Sequence, residues 1–288
     1  MKKIIALVLV LALGVFCALA LASCGETEAE PVVKVIDIAL TEEEYAYVVK
    51  DGNAALQADM NAFLAEIKEN GKFQAILDKY FKGEGEKVGH DITSGDVTND
   101  ANTFVVATNC PFEPFEYIGD DGKAYGVDME IAAAYAESRG LTLVIKNIEF
   151  DAIFNQVEAG YADIGMAGIT VNADREASYD FTTTYYNASQ KLIVAVDNTA
   201  FDDCKTAADV EAVIASLQGK SFGYQTGTTG GMYVDGNEDW GYDGFANLIG
   251  AGYSTAYDAV NDLVNGRIYA VVVDEAPGAA IVKAVNGN

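Results

Sequence analysis

The sequence predicts an α/β fold built on mostly parallel sheets. From Thr103 onward, short strands rich in β-branched residues alternate with helical apolar patterns. Several of those strands run directly into segments of Gly, Ala and Thr, where backbone can approach a ligand at the carboxyl ends of a parallel sheet. Half of the 288 residues are hydrophobic, enough for one large or two ordinary domains. Lys and Arg number 18 against 44 Asp and Glu, a net charge of −26. Such a field repels phosphate backbones and excludes a nucleic-acid partner. The one His, His90, sits in a polar stretch, so a His-ligated metal site or a Ser/His/Asp triad has that residue alone to rest on. No metal, cofactor or catalytic residue is expected.

Residues 1–24 combine a Met-Lys-Lys start, an apolar run from Ile4 to Ala22 and small residues before Cys24. This pattern predicts a secretory signal. The triplet before Cys24 resembles the lipobox at which bacterial lipoproteins are cleaved and lipidated, which implies a palmitate-bearing lipid anchor at Cys24 followed by a polar tether, 25–32. The alternative is an uncleaved transmembrane anchor. Either one places the remaining chain outside the membrane. Cys110 and Cys204 could pair in an oxidising compartment, although two spectator thiols are the simpler expectation.

Residues 33–39 have the β-branched density of a strand, and 45–49 form a second, closed by the turn Lys50-Asp51-Gly52-Asn53. Leu56, Met60, Phe63, Leu64 and Ile67 recur at helical spacing up to a stop at Gly71; Phe73, Ile76, Leu77, Tyr80 and Phe81 mark a second helix. No apolar period survives in 82–102, which reads as a linker. Strands are then expected at 104–108, 141–146, 164–167, 191–196, 221–224 and 268–273. Helices are expected from Asp128, as cap, through Ala136, and at 151–159, near 209–217, at 257–264 and at 275–285.

Four segments that follow strands hold the candidate chemistry: 107–117, 163–175, 223–229 and 270–274. Asn172 is a good helix cap with Arg175 in the first turn, and a guanidinium there can take a carboxylate. Asp274 ends an apolar strand, where an unpaired acid is costly unless a cation meets it. One cation and one anion at strand ends of two halves suit a zwitterion held between them.

Together these segments resemble the extracellular solute-binding proteins of polar amino-acid ABC transporters, family 3 type. The matching motifs are Ala107-Thr108-Asn109 with Pro114-Phe115-Glu116-Tyr117, Gly126-Val127-Asp128, Ala167-Gly168-Ile169-Thr170 with Arg175, Tyr179-Asp180-Phe181-Thr182 with Tyr185-Tyr186, Gly227-Thr228-Thr229, and Gly266-Arg267-Ile268 with Asp274. The resemblance covers about 33–81 and 103–285. It implies a two-lobed, type II periplasmic-binding-protein-like fold with a hinge between lobes. It also implies an amino-acid ligand, an ABC transporter permease as partner, and a monomer on the outer face of the cytoplasmic membrane or in a periplasm. Arg175 would bind the α-carboxylate with Thr170 and Thr229, and Asp274 the α-ammonium with the Gly168 carbonyl. Phe112 and Phe150 would pack on the side chain, Asn109 and Gln225 would select it, and Ala167 and Thr228 complete the site. Asn109, where cation-selective members tend to carry an acid, tilts the expectation toward a neutral polar amino acid. Cys110, Gly230 and Gly231 depart from the usual pattern, and the two glycines shorten or loosen a helix after Thr229.

The order of segments also departs from the family's. Residues 33–81 look like its C-terminal part, which implies a circular permutation. Lobe I would then span 45–192, including the linker 82–102. Lobe II would combine 193–288 with a strand at 33–44. A cleft enzyme of the same fold, dehydratase-like, and a ligand sensor without transport are the alternatives to a transport receptor.

Overall fold

The computed structural model describes residues 30–95 and 99–287. The expected signal, Cys24 and most of the tether lie outside the described residues. Two five-stranded sheets organise the chain. The first contains β1 (Val33–Ile36), β11 (Gln190–Ala195), β14 (Ala270–Asp274), β12 (Ser221–Gln225) and β13 (Ile249–Tyr253), in that order. Strands β14, β12 and β13 are parallel, while β11 runs antiparallel to both β1 and β14. In the second the order is β7 (Thr142–Asn147), β4 (Thr103–Thr108), β8 (Ile164–Gly165), β3 (Val48–Lys50) and β9 (Tyr179–Phe181). Its first three strands are parallel, and β3 is antiparallel to both neighbours.

Helices cover both faces of each sheet, as the continuous apolar runs of β4 and β14 require. Helices α1 (Ala54–Glu69), α2 (Lys72–Phe81) and α3 (Val127–Arg139) pack on one face of the second sheet, burying Met60, Phe63, Leu64, Phe73, Ile76 and Ile131. The opposite face receives Ile153 and Val157 from α4 (Phe150–Glu158). Around the first sheet, α6 (Ala207–Ser216) buries Val210 and Ile214 on one face. On the other, α8 (Ala256–Val264) and α9 (Glu275–Val285) bury Val260, Leu263 and Ile281. The four-residue α5 (Ala173–Glu176) and the seven-residue α7 (Thr229–Asp235) sit at the cleft between the sheets. The short α7 agrees with the poor helix propensity of Gly230 and Gly231.

The chain passes between the two bodies at two adjacent places. The strand read from sequence at 45–49 is in fact two: β2 (Glu43–Tyr45) pairs with β10 (Tyr186–Ala188), and β3 enters the second sheet. The break at Ala46-Tyr47 is what carries the chain from one body to the other. Ser189 alone separates β11 from β10, so the boundary expected at 192/193 falls inside a strand. Helix α3 also differs from expectation. Gly126 is its cap, and Asp128 lies inside its first turn, buried. The sequence reading passed over the hairpin β5 (Tyr117–Ile118) and β6 (Ala124–Tyr125), and also β9, β10 and β13; these strands are short or glycine-rich.

Strand β1 is fastened by Asn286 at the end of α9. Its Oδ1 accepts from the backbone N–H groups of Val32 and Val33 at 2.9 and 3.2 Å, and its Nδ2 donates to the Val33 carbonyl at 3.0 Å. Asn286→Ala leaves those backbone groups unmet and should cost about 1–3 kcal/mol in urea unfolding. An unchanged midpoint would show that β11 alone holds the strand.

Candidate functional site

A small cavity, with about 10 Å³ of free space, lies between the two bodies. Its wall contains all eleven side chains nominated from sequence: Asn109, Phe112, Phe150, Ala167, Gly168, Thr170 and Arg175 from one body, Gln225, Thr228, Thr229 and Asp274 from the other. They converge because strand ends point at the cleft: Asn109 follows β4, Ala167 follows β8, Gln225 ends β12 and Asp274 ends β14.

Arg175 is held from several sides. Asn172 caps α5 and accepts from the Arg175 backbone N–H at 2.9 Å. The guanidinium donates to the Thr170 carbonyl at 2.6 Å and, across the cleft, to the Gly227 carbonyl at 3.1 Å. It lies over the rings of Phe150 and Phe154, 5.6 and 5.2 Å from their centroids. Burial pulls its pKa down to about 10, against the pull of Glu43 and Asp274. It therefore stays charged at neutral pH.

The opposite side of the cavity is acidic. Asp274 is buried and accepts from the Tyr45 hydroxyl at 2.5 Å. Burial, reinforced by Glu43, pushes its pKa up to about 7. Glu116 also lines the cavity, is fully buried, and has a hydrogen-bond partner at neither carboxylate oxygen. Burial first, then Asp128 and Asp274, hold it well above the usual carboxylate range. Asp128 serves the site from behind, accepting from the Tyr47 and Tyr185 hydroxyls at 3.1 and 3.0 Å and from the Gly168 N–H at 3.1 Å. It thereby fixes the loop that aims Gly168. That residue has φ +53°, and a Cβ there would lie 2.5 Å from the Phe112 ring, so only glycine fits.

Asn109 and Gln225 meet each other. The Gln225 amide donates to Asn109 Oδ1 at 2.6 Å, and Asn109 Nδ2 donates to the Ile148 carbonyl at 2.6 Å. Phe112 and Phe150 are buried in the wall. Sequence reasoning missed Glu116 in the cavity wall, and Tyr45 and Glu43 behind it, bonded to Asp274 and to Thr170 and Thr229. Alternation within Glu43-Glu44-Tyr45, buried, exposed, buried, was the available signal, masked by a run of three acids that reads as surface. Among the described residues, no group of three or more His, Cys, Asp or Glu side chains is placed to hold a metal ion. No described helix is long and apolar enough to cross a membrane. Cys110 is buried, Cys204 half-buried, and both are free.

The model of the bacterial extracellular solute-binding proteins, family 3, matches residues 104–273. A probable histidine-binding protein of Neisseria gonorrhoeae is 30% identical over 192 residues, 64% of this chain and 63% of that protein. The chain thus spans under two thirds of the length of the curated relatives it matches. Among solved structures, an ancestral arginine-binding protein bound to arginine aligns with a TM-score of 0.55 at 30% identity, covering 65% of this chain and 76% of the other. An ancestral amino acid-binding protein, a precursor of cyclohexadienyl dehydratase, aligns with a TM-score of 0.54 at 25% identity, covering 64% and 74%.

The buried acids give stability a defined pH dependence. Asp128 and Asp274 ionise near 4 when unfolded and near 7 when folded, so the native state keeps protons that the unfolded state has released. Stability without ligand should therefore fall as pH rises from about 4 through 7, and the raised Glu116 adds to that fall. Exposed acids whose pKa is lowered by Arg, Lys or backbone partners, such as Asp262 and Asp209, act only below that window. The expected melting temperature is lower at pH 8 than at pH 5, with a shallower fall for Glu116→Gln. A flat or rising profile contradicts the buried-acid picture.

Proposed function

The chain belongs to the bacterial extracellular solute-binding proteins, family 3, and we propose that it is an extracytoplasmic receptor that holds an amino-acid zwitterion between its two lobes and delivers it to an ABC importer. The observation that carries this is the opposed pair in one cavity, the Arg175 guanidinium and the Asp274 carboxylate, contributed by different bodies. Arg175 takes the ligand's carboxylate. Asp274 takes the ammonium, with the Gly168 carbonyl and the unpartnered Glu116 as further acceptors. Phe112 and Phe150 flank the side chain. The Asn109–Gln225 amide pair is uncharged and supports a neutral polar amino acid. Relatives named as histidine- or arginine-binding proteins support an amino acid as the ligand class. An anchor at Cys24, a permease partner and a monomeric state complete the reading.

One observation favours a second reading. Glu116, whose burial raises its pKa well above the usual carboxylate range, is an acid that a cleft enzyme could use, and a solved neighbour is named as a dehydratase precursor. Turnover of a bound ligand would move the assignment to that class.

The circular permutation belongs to the same proposal. Its support is that β1 and β3 complete the two sheets although residues 33–81 precede the segment matched by the family. A rearranged chain running 103–287 and then 31–82 should fold and bind the same ligand. Failure to fold would count against the reading.

A thermal-shift panel of the twenty common amino acids tests the receptor itself. A ligand at 100 times its Kd adds about 2.7 kcal/mol of stability. At least one amino acid should raise the melting temperature, and Arg175→Ala should abolish the rise while leaving the protein folded. No shift with any of the twenty, or an undiminished shift in the variant, would refute it.

A further inference from the structure

Glu43 is buried, yet it is not among the residues that line the cavity; it faces a separate groove with Thr41, Asn187 and Ser189. Its carboxylate gathers three hydroxyls. Thr41 Oγ1 donates to Oε1 at 2.7 Å, while Thr170 Oγ1 and Thr229 Oγ1 donate to Oε2 at 2.6 and 2.8 Å. A carboxylate only accepts, and a hydroxyl has a single proton to give. The protons of Thr170 and Thr229, one from each body, are therefore spent on Glu43. Thr229 Oγ1 also accepts from Gln190 Nε2 at 3.1 Å, which nearly fills its capacity. Toward the cavity, the Thr170 hydroxyl offers a lone pair and no proton.

We infer that Glu43 is a positioning residue that sets the polarity of the site: by holding the hydroxyl protons of Thr170 and Thr229 away from the cavity, it makes Thr170 an acceptor for the ligand's ammonium group. The ligand's carboxylate is then left to Arg175 and to backbone N–H groups. This deepens the receptor reading and rests on it. It also explains why a third acid is buried beside Asp274, where charge alone argues against one: its task is to orient hydroxyls, which an apolar residue could not do.

The test is calorimetric titration with whichever of the twenty amino acids stabilises the protein most. Glu43→Ala frees the Thr170 proton to turn inward against the ammonium and should weaken binding about tenfold or more, equivalent to about 1.4 kcal/mol. Glu43→Gln can turn its amide oxygen to the two threonines and should keep most of the affinity. Thr170→Val should lose a similar factor, and the Glu43→Ala/Thr170→Val pair should bind no worse than Thr170→Val alone, because both act through one oxygen. Thr170→Ser should retain binding, and this comparison stands even if Glu43→Ala does not fold. Equal or tighter binding by Glu43→Ala, additive losses in the pair, or a Glu43→Gln as weak as Glu43→Ala would overturn the assignment alone. Absence of binding by the unchanged protein to every amino acid would overturn the receptor reading, and this assignment with it.

Discussion

A single buried guanidinium among buried acids is the constraint on which the rest of the site depends. Among the described residues, Arg175 is the only cation in the cavity wall, and Glu116 and Asp274 share that wall with it. Removing such charges from water is costly unless each finds a partner. The protein answers with geometry. Arg175 is tied to two carbonyls and two rings, Asp128 to two tyrosines and a backbone N–H, Asp274 to Tyr45 and Glu43 to three threonines. Only Glu116 is left without a partner. That one unpartnered acid faces the cavity, where a ligand could reach it.

The same contacts join the two bodies. Gln225 meets Asn109, Gly227 meets Arg175, Asp274 meets Tyr45 and Thr229 meets Glu43 across or beside the crossing strands β2 and β10. Residues that would touch a ligand are therefore also the residues that hold the lobes together. Binding and lobe closure draw on one set of hydrogen bonds, so a ligand can favour the closed arrangement only by the difference between what it makes there and what it makes when the lobes part.

Much of this was legible in the sequence. The helices at 54–69 and 275–285 followed from apolar spacing and clear stops, and the strands that feed the site, β4, β12 and β14, from β-branched runs. Arg175 was found through its cap, Asn172, a local signal. What escaped was non-local. Asp128 resembles a cap in sequence, yet its partners are Tyr47 and Tyr185, far along the chain. Glu43 sits in a run of three acids, and nothing local tells which one turns inward; pairing with β10 decides that. Asn109 and Gln225 both line the cavity, and their pairing across the two bodies has no local signal.

The most direct test of the account is a crystal structure of the protein with the amino acid that stabilises it most. The ligand should lie between the lobes with its carboxylate on the Arg175 guanidinium and its ammonium on Asp274, within hydrogen-bond distance of the Thr170 hydroxyl oxygen. A ligand bound in the reverse orientation, or outside this cavity, would contradict it.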